Sequence, residues 1–107
     1  MGKRFVETSV FTAVLHQHLD DERYRQLQIT LMLRPEQGPV IKGSGGLRKV
    51  RWSPAGTGKR GGVRVIYYWV PSESVFYMLY LYAKNEQGDL TPQQVRALAK
   101  VVREEFK

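Results

Sequence analysis

The spacing of apolar residues predicts helices in the first third of the chain. A short strand candidate at residues 3–7 (KRFVE) is followed by apolar positions three and four apart, the helical period: Phe11, Val14, Leu15 and Leu19. We expect Ser9 to cap this first helix, because a serine hydroxyl can accept a hydrogen bond from a free backbone N–H of the first turn.

A second helix follows almost at once. Asp20 or Asp21 is placed to open it, and its inward positions again keep the helical period: Tyr24, Leu27 and Leu31. It must end near Arg34, because Pro35 disfavours helical backbone in the residue before it. Two consecutive helices with a tight joint predict a helical hairpin.

The rest of the chain changes to a strand pattern and ends in one more helix. After a loop, residues 47–52, 63–70 and 75–84 are rich in Val, Ile, Tyr and Trp, as strands are. The tetrapeptide from Thr91 to Gln94 is a capping box with proline at the first helical position. The closing helix then has one apolar face: Val95, Leu98, Ala99, Val102 and Phe106.

This order, β-α-α-β-β-β-α, predicts an α+β fold. We expect an antiparallel-rich four-stranded sheet with the helical hairpin packed on one face and a C-terminal helix. At 107 residues the chain has room for one core, so residues 1–107 are predicted to form a single domain.

Composition narrows the chemistry. The absence of cysteine excludes a disulfide framework, a thiolate nucleophile and a cysteine metal site. His16 and His18 lie on different faces of the first helix and do not form a ligand pair, so we expect no metal and no cofactor. No apolar run approaches the roughly 20 residues that a membrane helix needs, so we expect a cytoplasmic protein with no membrane contact.

Positive charge is concentrated in one segment. Residues 37–72 contain no Asp or Glu, and their seven cations equal the formal net charge of +7 of the whole chain: Lys42, Arg48, Lys49, Arg51, Lys59, Arg60 and Arg64. Such a surface favours a polyanion, with RNA or DNA first, a membrane surface second and an acidic protein also possible.

The strand pattern suggests where these charges meet. Because side chains alternate along a strand, Lys49 and Arg51 share a face, and so do Tyr82 and Lys84 on the last strand. Arg64 interrupts the apolar run GGVRVIYYWV and has no acid within eight residues on either side. A buried arginine needs an anion, so Arg64 faces either a phosphate or a carboxylate from a distant element.

Three segments together resemble a known family. They are GLRKVR at residues 46–51, GKRGGVRVIYY at residues 58–68 and LYAKNE at residues 81–86, and the pattern is similar to that of the HigB branch of the RelE/ParE toxin superfamily. The resemblance implies a small bacterial toxin that enters the ribosomal A site and cuts mRNA, and that is neutralised by an antitoxin with a helix-turn-helix domain.

The same resemblance implies the site residues. The family's basic catalytic cluster carries over to Lys49, Arg51 and Arg64. Asn85 stands where the RelE branch has an arginine, and Thr91 stands near the place of a family tyrosine, so Lys84 and Tyr82 are the expected substitutes. We expect the remaining cations to bind RNA or the ribosome: Lys42, Arg48, Lys59 and Arg60.

RNA cleavage without metal or histidine is chemically reasonable with this set. The 2'-hydroxyl attacks the adjacent phosphorus, and fixed guanidinium groups of Arg51 and Arg64 stabilise the developing negative charge. Lys49 or Lys84, crowded by like charge, is then the expected proton acceptor or donor.

Two other functions stay open on sequence alone. A ParE-like inhibitor of DNA gyrase shares the fold but acts by protein contact and does not need the cations to converge. A non-catalytic RNA-binding module would present a flat sheet face with splayed aromatic side chains. Convergence of Lys49, Arg51 and Arg64 in a concave site favours the nuclease.

Overall fold

The structure, a computed structural model, describes residues 2–53 and 62–105. Its elements in chain order are β1 (Arg4–Glu7), α1 (Ser9–Leu15), α2 (Asp21–Leu33), β2 (Arg48–Trp52), β3 (Val63–Val70), β4 (Val75–Ala83) and α3 (Pro92–Glu105). The predicted α+β order is confirmed. Lys59, Arg60 and Phe106 lie outside the described residues. Within those ranges, no helix is long and apolar enough to cross a membrane.

The four strands form one mixed sheet in the order β1-β4-β3-β2. β2, β3 and β4 make an antiparallel meander, as the short connections require. β1 pairs with β4 in parallel, from Arg4 opposite Val75 to Glu7 opposite Met78. The sheet therefore begins and ends in edge strands, β1 on one side and β2 on the other.

Helices cover both faces of this sheet. The face under α1 and α2 carries the larger apolar cluster, which includes Phe11, Leu27, Leu31, Val65, Tyr67 and Phe76. The opposite face packs against α3 through Leu47, Ile66, Leu79, Tyr82, Ala99 and Val102. A shift in register places Ile66 opposite Tyr80 and Tyr67 opposite Met78, so Leu79 is an extra residue in β4. This bulge puts Leu79 on the same side as Tyr80 and adds apolar surface for α3.

The helix ends follow local hydrogen bonding. The Thr8 hydroxyl, not that of Ser9, caps α1 by accepting from the Phe11 N–H at 3.1 Å, so the predicted cap was wrong by one residue. Thr8 N–H is tied to the Met78 carbonyl at 3.0 Å, which fixes Thr8 in extended backbone just before the helix. Of the two predicted candidates, Asp20 and Asp21, it is Asp20 that caps α2.

The capping box of α3 is also confirmed. The Gln94 N–H donates to the Thr91 hydroxyl at 3.1 Å, and the Thr91 N–H donates to Gln94 Oε1 at 2.9 Å. These reciprocal bonds satisfy two backbone donors that the helix itself leaves free. They fix the point at which the chain leaves the loop after β4 and enters α3.

Candidate functional site

A row of polar side chains crosses β2, β3 and β4 near the end of the sheet at which β3 begins. Arg51 of β2 lies directly opposite Arg64 of β3, which lies directly opposite Tyr82 of β4. Directly paired residues of antiparallel strands point to the same face, and Tyr82 belongs to the cluster on the α3 side. Lys49 lies two residues before Arg51 and shares its face. The structure thus brings together four of the side chains that the sequence singled out.

Without a bound anion, the positive charges of this row destabilise the sheet. Like charges directly opposite each other destabilise a strand pair, and Arg51 and Arg64 are such a pair. Arg64 is only 9% exposed, and no carboxylate within the described residues forms an ion pair with it. A guanidinium that stays charged in this position favours a bound anion.

An acidic side chain that the sequence analysis missed lies beside the row. Asp89, in the loop between β4 and α3, places its Oδ1 2.9 Å from Lys49 Nζ. The hydrogen bond from Lys49 lowers the pKa of the Asp89 carboxyl, the Leu90 N–H lowers it further, and the charge of Arg51 contributes. Lys49 and Asp89 are 40 residues apart, so no local pattern in the sequence signals the contact.

Tyr82 lies beneath the charged groups. Its ring is buried under α3, and its hydroxyl has no hydrogen-bond partner among the described residues. Burial raises the pKa of this phenol, the Asp89 carboxylate raises it further, and the charge of Arg64 opposes the rise. The phenol is therefore neutral at ordinary pH and can donate a hydrogen bond, but it is not a base.

The other predicted cations lie outside the row. Arg48 points to the opposite face, where it donates to the carbonyl oxygens of Glu36 and Gly38 at 3.1 and 2.8 Å and pairs with the Glu36 carboxylate. Its charge is thus already engaged in holding the loop before β2. Lys84 is exposed just past the end of β4, one residue beyond the strand. Lys42 is exposed beside the first turn of α3 and lines a cavity of about 310 Å³ with Arg96.

A groove opens next to the row at the edge of the sheet. This cavity of about 490 Å³ is lined by Arg34, Gln37, Pro39, Lys49, Val50 and Arg51. Arg34, which caps the C-terminal end of α2, is a cation that the sequence analysis did not assign to the site. Lys49, Arg51 and Arg34 therefore place three cations along one concave surface, whereas Arg64 and Tyr82 are not among the residues that line it.

A known protein family matches the part of the chain that contains this site. The family model described as the RelE toxin of the RelE / RelB toxin-antitoxin system matches residues 30–107. This stretch includes every strand of the meander and every residue of the site and its groove described in this section.

Solved structures of RelE proteins share the fold at low identity. A double arginine-to-alanine mutant of Escherichia coli toxin RelE in the free state matches with a TM-score of 0.59 and 14% identity, covering 97% of this chain and 99% of that one. The archaeal RelE–RelB complex from Pyrococcus horikoshii OT3 matches with a TM-score of 0.52 and 22% identity, covering 81% of this chain and all of that one (100%). The intact RelBE complex of E. coli matches with a TM-score of 0.55 and 11% identity, and the match covers 77% of this chain and 96% of that one.

Proposed function

Since the chain belongs to the RelE toxin family of toxin–antitoxin systems, we propose that it is a toxin that cuts translated mRNA in the ribosomal A site. The observation that carries this proposal is the pair of opposed arginines. Arg51 and Arg64 lie opposite each other on neighbouring strands, Arg51 lines a groove, and neither forms an ion pair with a carboxylate of the described residues. A phosphodiester supplies the negative charge that this arrangement lacks.

The reaction that suits this site is a metal-independent transesterification. The 2'-hydroxyl loses its proton and attacks the adjacent phosphorus, the bond from phosphorus to the 2'-oxygen forms, and the bond to the 5'-oxygen breaks. The 5'-oxygen leaves with a proton, so the products are a 2',3'-cyclic phosphate and a 5'-hydroxyl end. Negative charge rises on the phosphorane oxygens during the attack, and the guanidinium groups of Arg51 and Arg64 stabilise that charge more than they stabilise the ground state.

In the proposed reaction, the ribosome supplies the orientation of the mRNA. Orientation of the reactive groups supplies several kcal/mol of such a barrier. A shallow, open groove orients a flexible single strand poorly, whereas mRNA held in a decoding site is already fixed. We expect Lys42, Lys59 and Arg60 to contact RNA backbone and so to place the toxin rather than to cut.

An antitoxin is the second expected partner. The RelE proteins of E. coli and P. horikoshii named above were solved in complex with RelB. For this chain we propose a cognate antitoxin, with the helix-turn-helix domain that the HigB-like resemblance implies. Its expected docking surfaces are the outer face of α3 and the free edge of β1, both outside the charged row.

Replacement of Arg64 tests the proposed function. Arg64→Ala removes a phosphate-pairing charge, so we expect growth inhibition to be lost and the cleavage rate on ribosome-bound mRNA to fall about a hundredfold or more. Cleavage is measured by mapping new 5' ends of mRNA. Arg25→Ala, an exposed arginine of α2, is the matched control and should leave both unchanged.

Three outcomes would contradict either the role of Arg64 or the proposed function itself. Arg64→Ala that cuts mRNA like the unchanged protein would remove Arg64 from the site. Loss of the folded state in Arg64→Ala, seen by circular dichroism, would make Arg64 a structural residue. Growth arrest with inhibited DNA gyrase supercoiling and intact mRNA would instead support the ParE-like function.

A further inference from the structure

The loop between β4 and α3 carries an acidic side chain into the basic cluster. β2, which holds Lys49, is separated from β4 by the whole of β3. The loop must therefore cross the face of the sheet for Asp89 to reach Lys49 at 2.9 Å. Among the described residues, Asp89 is the carboxylate that pairs with a member of the row.

The loop is built to hold this carboxylate in place. Asp89 Oδ1 also accepts from the Leu90 N–H at 2.9 Å. The Asp89 carbonyl accepts from Gln87 Nε2 at 2.7 Å, and the same nitrogen donates to Gln94 Oε1 in the capping box of α3 at 3.0 Å. Asp89 is thus tied through its own backbone to the first turn of a helix.

The beginning of the loop is fixed as well. Glu86 Oε1 accepts from the Ala83 N–H at 3.0 Å and lies 2.7 Å from Nε2 of His18, whose side chain is 10% exposed. These two contacts lower the pKa of the Glu86 carboxyl. The loop is therefore anchored to β4, to the turn after α1 and to α3, and Asp89 lies between these anchors.

A carboxylate at this position cannot serve to attract RNA. Like an RNA phosphate, it is negatively charged, so the two repel each other. What it does provide is a fixed acceptor for Lys49, whose side chain is 22% exposed and otherwise free to sample many rotamers. An ammonium group has three N–H donors, so one bond to Asp89 leaves two for phosphate oxygens.

We propose that Asp89 is a positioning residue that holds the Lys49 ammonium, charged and in one place, against the phosphate to be cleaved. This inference rests on the proposed function, since it names a further residue of the same site. It also decides between two roles of Lys49 that the sequence left open. With one N–H bonded to Asp89 and two left for phosphate oxygens, Lys49 acts as an electrostatic stabiliser rather than as the group that takes the proton of the 2'-hydroxyl.

The kinetic test uses Asp89→Asn, which keeps the shape of the side chain and an oxygen for the Leu90 N–H but removes the charge. We expect kcat on ribosome-bound mRNA to fall about tenfold or more while KM stays level or falls, because positioning is lost and a repelling charge is removed. Glu73→Gln, an exposed carboxylate in the turn between β3 and β4, is the matched control for charge and should change neither.

A double-mutant cycle shows whether Asp89 acts through Lys49. In a Lys49→Ala background we expect Asp89→Asn to have no further effect on kcat. Additive losses would overturn the proposal and make Asp89 an independent or merely structural residue. Asp89→Glu, which keeps the charge, should restore part of kcat.

A measurement without RNA separates this proposal from the proposed function. Nuclear magnetic resonance relaxation of the lysine side chains should show Lys49 more restrained than Lys100, an exposed lysine of α3, and Asp89→Asn should abolish that difference. Equal mobility in the unchanged protein would overturn the positioning role even if the protein cuts mRNA. A restrained Lys49 in a protein that does not cut mRNA would instead overturn the proposed function alone.

Discussion

Two neighbouring side chains in the row carry polar atoms at a cost to the fold. Arg64 holds a charge among the buried residues of β3, and Tyr82 holds a buried hydroxyl without a partner in the described part of the chain. Apolar residues of similar size at these positions would pack equally well and would need no hydrogen-bond or ionic partner. Features that a fold does not need for stability are the ones that function explains best.

Removing the Tyr82 hydroxyl should therefore not weaken the fold. For Tyr82→Phe we expect the free energy of unfolding to stay level or rise by up to about 1 kcal/mol, because a buried group without a partner is removed. We expect the cleavage rate to fall, because the phenol is a neutral donor on the residue directly opposite Arg64. Urea denaturation and single-turnover cleavage are the two measurements.

Tyr67 supplies the matched comparison on the same sheet. Its hydroxyl donates to the Pro35 carbonyl at 2.8 Å and accepts from the Gly38 N–H at 3.1 Å. Tyr67→Phe breaks both bonds and should cost about 1–3 kcal/mol of stability. Equal losses in the two variants would mean that the Tyr82 hydroxyl is bonded after all, and an unchanged cleavage rate in Tyr82→Phe would remove it from the site.

At the scale of elements, the position of Lys49 depends on the loop before β2. Gly38 lies against the backbone of Lys49, and a Cβ at Gly38 would meet the Lys49 carbonyl carbon and oxygen at 3.0 Å. Arg48 holds the same loop by donating to the Gly38 carbonyl. Close approach at a glycine thus sets how the edge strand sits beside the groove.

Gly38→Ala should disturb this edge. The added methyl group meets backbone atoms that cannot rotate away, so we expect a loss of about 1–3 kcal/mol in unfolding free energy and a lower cleavage rate. Gly88→Ala is the control for stability, because a Cβ there meets nothing within 4 Å. Equal thermal stability of the two variants would show that β2 shifts freely to make room.

The sequence predicted which segments form helices and which form strands. It predicted only in part which side chains come into contact. Periodicity and the Thr91–Gln94 capping box depend on residues close in sequence, so the sequence shows them directly. The pairing of Asp89 with Lys49 depends on how the loop crosses the sheet, and nothing local specifies that path. Alternation placed Lys49 and Arg51 on one face, but the register of two strand pairs was needed to put Arg64 between Arg51 and Tyr82.

Across the whole molecule, the surface proposed for catalysis and the surfaces proposed for docking are separate. The groove with Lys49 and Arg51 lies at the edge of β2, whereas β1 is the opposite edge of the sheet. Another, largely apolar cavity of about 280 Å³ lies between α1 and α3 and is lined by Val10, Tyr80, Gln94, Ala97, Leu98 and Val101. Val10 is 53% exposed there, which suits an apolar side chain of a partner.

An antitoxin can therefore act without filling the site. In a purified complex we expect Lys49, Arg51 and Arg64 to keep the chemical reactivity that they have in the free toxin, while binding to ribosomes is lost because the complex is too bulky. Acetylation of lysine and phenylglyoxal modification of arginine, read by mass spectrometry, give the two reactivities. Protection of all three side chains by the antitoxin would show direct occlusion instead.

The parallel pairing of β1 with β4 also affects the order in which the chain can fold during its synthesis. Residues 4–7 are synthesised first, yet they have no strand to pair with until residues 75–78 have been made. Tyr82 and Asp89 are synthesised later still, and α3, which packs over Tyr82, comes last. A nascent chain thus carries Lys49, Arg51 and Arg64 long before it can assemble the site. For the toxin proposed above, this order of synthesis delays assembly of the site until most of the chain has been made.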